Sequence, residues 1–105
     1  MKKKHHVSFC DIILSTPVRE QRALLKAAPG EVFRFISEIA HNILRGHTTL
    51  SAKYKKILKR KADVIRLLSK PRLKTGKRQT LCLKHFDVVL LILKSCINEL
   101  KERFV

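Results

Sequence analysis

Between Glu31 and Arg45 the apolar residues return with the period of an α-helix. Val32, Phe33, Ile36, Ile39, Ala40, Ile43 and Leu44 fall within one arc of about 140° at 100° per residue. So wide an arc requires partners on more than one side, and the rest of the chain has to supply them. Pro29-Gly30 ends whatever precedes this helix, Glu31 suits the positive end of its dipole, and Gly46 stands where a C-cap is needed. With 105 residues the chain has material for one modest core.

Three further segments carry a helical pattern. Thr16-Pro17 is a helix start, with Thr16 as N-cap and Pro17 at the first helical position, and the helix runs to about Ala28. Ser51 is the N-cap of a helix reaching about Ser69, with Tyr54, Ile57, Leu58, Val64, Ile65 and Leu68 on an apolar arc of about 120°. Lys61 falls inside that arc, so it must snorkel or the helix must bend there. A fourth helix, about 81 to 103, places Phe86, Val89, Leu90, Leu93, Cys96, Ile97, Leu100 and Phe104 on one face. Val88, Leu91 and Ile92 lie on the opposite face, more apolar surface than one interface uses, which leads us to expect a homodimer or higher oligomer formed through these three residues.

The expected architecture is all-α: a small bundle of four helices, with one basic helix and one basic loop. Its core is expected from Ile36, Ile39, Ile43, Ile57, Ile65, Leu68, Val89, Leu93 and Leu100. Residues 17–105 form the domain. Residues 1–16 form a basic N-terminal arm, frayed over MKKKHH and packed on the core, extended or helical, over VSFCDIIL.

Charge is the second constraint. The formal net charge is +16, and self-repulsion of that size favours an anionic partner. Residues 45 to 84 hold fourteen Lys and Arg against one acid, Asp63. A face kept only soluble would mix Glu with Lys to gain i,i+4 pairs. On the helix from Ser51, Lys53, Lys55, Lys56, Lys59, Arg60 and Arg66 form a stripe about 27 Å long opposite the apolar arc. The segment SKPRLKTGKRQT, 69–80, lacks a hydrophobic period and reads as a basic loop presenting Lys70, Arg72, Lys74, Lys77 and Arg78. Lysine is a point charge suited to phosphates rather than to base edges. Stacking aromatics for single strands are missing, since Tyr54 is the one aromatic between Phe35 and Phe86. Duplex DNA is therefore the preferred ligand. KPRLKTGKR also has the form of a nuclear-import signal.

Other chemistry finds little material. Cys10, Cys82 and Cys96 make no C-x-x-C pair and read as small buried hydrophobes of a reducing compartment. Cys82 and His85 are only i,i+3 neighbours without an orienting group, and no Gly-rich phosphate loop or H-E-x-x-H occurs. His5 with His6, His41 and His47 lack further ligands at metal-binding spacing. We expect no catalysis, no cofactor and no metal. The segment VSFCDIIL, broken by Ser8 and Asp11, makes a poor signal peptide, and the longest apolar run, Val88 to Leu93, is too short to span a bilayer. The expected location is the nucleus or a virion.

Residues 33–81, FRFISEIAHNILRGHTTLSAKYKKILKRKADVIRLLSKPRLKTGKRQTL, resemble the small basic proteins of Maverick/Polinton elements and the related adintoviruses. The resemblance lies in Glu38, Ala40, Asn42, Leu44 and Gly46, then Leu50 before the basic helix, then Ile65-Arg66-x-Leu68 and the basic segment from Lys74 to Leu81. It covers about half the chain and implies an adenovirus-core-like DNA packager. Where the similar proteins continue into a Gly-rich hydrophobic tail, this chain carries a charged segment without glycine. Two functions follow as expectations: a protein that condenses duplex DNA without sequence preference, or a helical protein–protein interaction module whose basic surface serves nuclear localisation.

Overall fold

The computed structural model describes residues 2–104. Among them are seven helices and no strand: α1 Lys2–Ser15, α2 Val18–Lys26, α3 Gly30–Leu44, α4 Ala52–Arg60, α5 Ala62–Leu68, α6 Thr75–Lys84 and α7 Phe86–Phe104. The all-helical class is as expected, but the count of four is not. The N-terminal segment adds a helix, the helix from Ser51 is two, and the expected basic loop contains the start of another.

α3 is the centre. Its buried residues include Val32, Phe33, Phe35, Ile36, Ser37, Ile39 and Ala40, an arc of about 200° rather than 140°. Helices α1, α5, α6 and α7 all pack on it. Phe35, outside the apolar arc of the sequence, is covered by α1, whose His6 ring centroid lies 5.5 Å from its own. The end of α3 follows from its glycine. Gly46 has φ +71, its N–H donates to the Ile43 carbonyl at 3.1 Å, and the His47 N–H donates to the Asn42 carbonyl at 2.9 Å. This 5→2 and 6→1 pair is a Schellman motif.

Residues 2–15, within the expected arm of residues 1–16 that was to be frayed over MKKKHH and packed on the core over VSFCDIIL, form one helix that contributes to the core. Val7, Cys10 and Ile13 are 0% exposed and α1 lies along α7. The first turn of α1 holds no acid, so its basic residues oppose the helix dipole and local propensity does not explain the helix. Tertiary partners do: Lys3 pairs with Glu38 at 3.8 Å, His6 Nε2 lies 3.4 Å from Glu31, and Asp11 pairs with Lys101 at 3.3 Å. Thr16 closes this helix rather than opening the next. Its hydroxyl donates to the Ile12 carbonyl at 2.7 Å, and α2 starts at Val18.

The second face of α7 is filled within the chain. Val88 is 2% exposed and Ile92 0%, and Leu91 is half-buried against the same core. The surface that motivated self-association through Val88, Leu91 and Ile92 is thus consumed within one chain. Of the expected core, Ile36, Ile39, Ile65, Leu68, Val89 and Leu93 are buried, while Ile43 and Leu100 pack at its edge. Ile57 is only half-buried, and Leu58 takes the interior position on α4.

Two breaks set the remaining helices. Continued helical geometry would put the Lys61 ammonium in the middle of the apolar arc, where desolvation is costly. The backbone departs there to φ −106, ψ 17, Lys61 stays exposed, and α5 restarts with Ile65 and Leu68 inward. The second break, at His85 with φ −110 and ψ 42, separates α6 from α7. One helix from 75 to 104 would be about 45 Å long, against a longest extent of 31 Å for the molecule.

The position of α1 is testable by one truncation. Ile13→Ala is expected to lower stability by about 2–5 kcal/mol, as for other buried aliphatic residues, read from the urea midpoint at unchanged m-value. If residues 2–15 were a detachable arm, the midpoint would not move.

Candidate nucleic-acid interface

The basic face is built on α4. The Ser51 hydroxyl accepts a hydrogen bond from the Tyr54 N–H at 3.3 Å, the N-cap read from the sequence. Leu58 is buried, Tyr54 and Ile57 are half-buried, and Lys53, Lys55, Lys56, Lys59 and Arg60 are all exposed. With nine residues in α4 the stripe is about 14 Å long, half the expected length. Lys61, set aside in the sequence because it fell on the apolar arc, joins this exposed set through the break at its own position. The signal that locates it is the conflict itself: a charge at the centre of an apolar arc marks where the helix departs. Among the described residues no ion pair involves Lys53, Lys55, Lys56, Lys59, Arg60 or Lys61. The Lys53 ammonium lies 5.8 Å from the centroid of the Tyr54 ring.

Arg66 differs from these. It donates to Asp63 at 2.9 Å, with both side chains mostly in water, so the one acid of the basic region is spent on it. An exposed pair of this kind is worth only a few tenths of a kcal/mol, and it sets a carboxylate beside the Arg66 charge.

The basic loop is shorter than read, because α6 begins at Thr75. Lys70, Arg72 and Lys74 are exposed before it and Lys77 is exposed in its first turn. Arg78 is not part of this surface. It is 4% exposed, and its Nη2 donates to the carbonyls of Lys70 and Pro71 at 3.3 Å each. A guanidinium carries five donors in a rigid fork, so one side chain holds two successive loop carbonyls. Arg78 fixes the loop that presents Lys70, Arg72 and Lys74.

The three thiols are free and buried. Burial pushes Cys10 from 9.0 up to about 12. Cys82 is likewise raised to about 12 by burial, against the opposing pull of the Arg78 guanidinium. Cys96 is raised by burial, with a Ser95 hydrogen bond lowering it and Glu99 raising it. A thiol this far from ionisation is a poor nucleophile near neutral pH. Among the described residues no group of three or more His, Cys, Asp or Glu is placed to hold a metal ion, and no helix is long and apolar enough to cross a membrane. No family model, curated protein or solved structure matches the chain.

Thiol burial sets a pH dependence. Above pH 9 the unfolded chain releases thiol protons that the folded chain retains, so the folded state binds more protons and stability falls as pH rises. The contribution is complete below 9.0 and is lost on the way to about 12. Urea unfolding across this window is expected to show the fall, and Cys10→Ala is expected to lessen it. An equal fall in Cys10→Ala would assign the loss elsewhere.

Proposed function

We propose that this protein binds duplex nucleic acid through its phosphates, without reading sequence, and condenses DNA in a nuclear or virion setting. The observation that supports this best is the set of exposed cations on α4 and at its end, Lys53, Lys55, Lys56, Lys59, Arg60 and Lys61, with no acid within the helix and no ion pair to any of them among the described residues. Duplex DNA carries one charge per ~1.7 Å of axis, so the ~14 Å face of α4 is opposite roughly eight phosphate charges. Six cations match that density closely. Lys70, Arg72, Lys74 and Lys77 extend the basic surface.

The composition of the face argues for phosphate rather than base contact. Five of its six cations are lysines, each a compact charge without the planar fork that pairs with guanine. Tyr54, the aromatic within the basic stretch, is half-buried against the core and does not offer a stacking platform for single strands. The resemblance to Maverick/Polinton and adintovirus proteins adds the virion core as the setting. Arg66 and Arg78 drop out of the contact set, and Lys61 enters it.

Binding to random-sequence duplex DNA at several salt concentrations tests the proposal. With about six contacts, log affinity is expected to fall against log salt with a slope near −5, and each Lys→Ala on α4 to flatten it by up to about one unit. The double reversal Lys56→Glu with Arg60→Glu is expected to weaken binding to all duplexes alike at unchanged helical content. Undiminished affinity, or a loss confined to one sequence, would refute the proposal. Preferential capture of a protein partner with little DNA binding would favour the interaction module.

A further inference from the structure

Condensing DNA requires that two duplex segments be held together, and the apolar face of α7 that could have joined two copies of the chain is buried within one. The second contact then has to come from the monomer itself. α2 supplies part of it. At 100° per residue Arg19, Arg22 and Lys26 fall within about 60° of one another, and all three are exposed, while Gln21 and Leu25 are buried behind them. Glu20, the acid of this helix, lies about 130° from the middle of that stripe.

The fold brings further charge to the end of the stripe from far along the chain. Gln79 Nε2 donates to the Lys26 carbonyl at 3.3 Å, and a Cβ on Gly30 would stand 2.7 Å from Cγ2 of Thr75. The turn between α2 and α3 therefore lies against the start of α6, and the exposed Lys70, Arg72 and Lys74 stand in the loop that leads into it. Arg78 fixes that loop through the Lys70 and Pro71 carbonyls. Among the described residues none of Arg19, Arg22, Lys26, Lys70, Arg72 and Lys74 makes an ion pair. Glu31, the acid just past the turn, faces His6 at 3.4 Å. This patch and α4 belong to opposite ends of α3, a helix of 15 residues and so about 22 Å long. α2 leads into its first residue and α4 follows from its last. Their supports differ as well, since α2 packs on α1 and α6 and α4 packs on α5 and α7.

We propose that the α2 stripe and the loop between α5 and α6 form a second phosphate-binding surface, at the end of the bundle away from α4, so that one monomer bridges two duplex segments. The inference rests on duplex binding through α4. Two quantities measured side by side at one salt concentration test it: binding of one labelled random-sequence duplex, and capture of that duplex by a second one held on beads. The intact chain is expected to do both, and to sediment as a monomer when free of DNA. Arg22→Glu with Lys26→Glu, and Arg72→Glu with Lys74→Glu, each folded by circular dichroism, are expected to keep single-duplex affinity within about threefold while lowering capture about tenfold. Lys84→Glu with Lys94→Glu removes the same charge from exposed positions elsewhere and should leave capture unchanged. Single-duplex binding without capture, as when one duplex lies across both surfaces, overturns the proposal and leaves binding through α4 standing. Capture lost equally in the Lys84 and Lys94 variant, or capture that follows a dimer in sedimentation, does the same. Absence of duplex binding altogether refutes both readings.

Discussion

Taking an ammonium or guanidinium group out of water costs several kcal/mol unless it is paired and hydrogen-bonded, and this chain carries twenty-four Lys and Arg against eight acids. Nearly every feature of the fold follows from keeping that charge wet while closing one core. α4 turns a single stripe inward and leaves its cations outside. The backbone breaks at Lys61 rather than bury it. The two acids of α3, Glu31 and Glu38, lie against the basic start of α1, which lets that helix dock where charge alone would repel it. Among the described residues Arg78 is the one buried cation, and its bonds to two loop carbonyls are what make its burial tolerable.

The sequence made α3 legible because three signals agree there: a wide apolar arc, Pro-Gly before it and glycine after it. Gly46 at positive φ and the Ser51 cap are equally local, since each needs only its own turn to act. α1 was not legible because its buried residues Val7, Cys10 and Ile13 are interrupted by Ser8 and Asp11 and preceded by three lysines, and it is packing against α7 that buries them. Conversely, Val88 and Ile92 were read correctly as a second apolar face of α7, but its occupant was assigned to another chain when both side chains are buried within one. Arg78 was grouped with its neighbours because a pattern of charge does not show which member turns inward. Its burial depends on the loop carbonyls folding back over it.

The exposed lysines of α4, without an ion pair among the described residues, suit a partner whose charge is dense and whose sequence does not matter. Asp63 pairs with the exposed Arg66 just past the point where α4 gives way to α5.

Lysine acetylation footprinting, with and without saturating random duplex DNA, tests the central claim most directly. Lys53, Lys55, Lys56, Lys59 and Lys61 are all exposed, as are Lys94 and Lys101 on α7, so every one of them reacts in the free protein. If α4 is the phosphate-binding face, DNA protects the α4 lysines together and leaves Lys94 and Lys101 as reactive as before. Equal protection along the whole chain, or protection of the α7 lysines with α4 still reactive, would contradict the account.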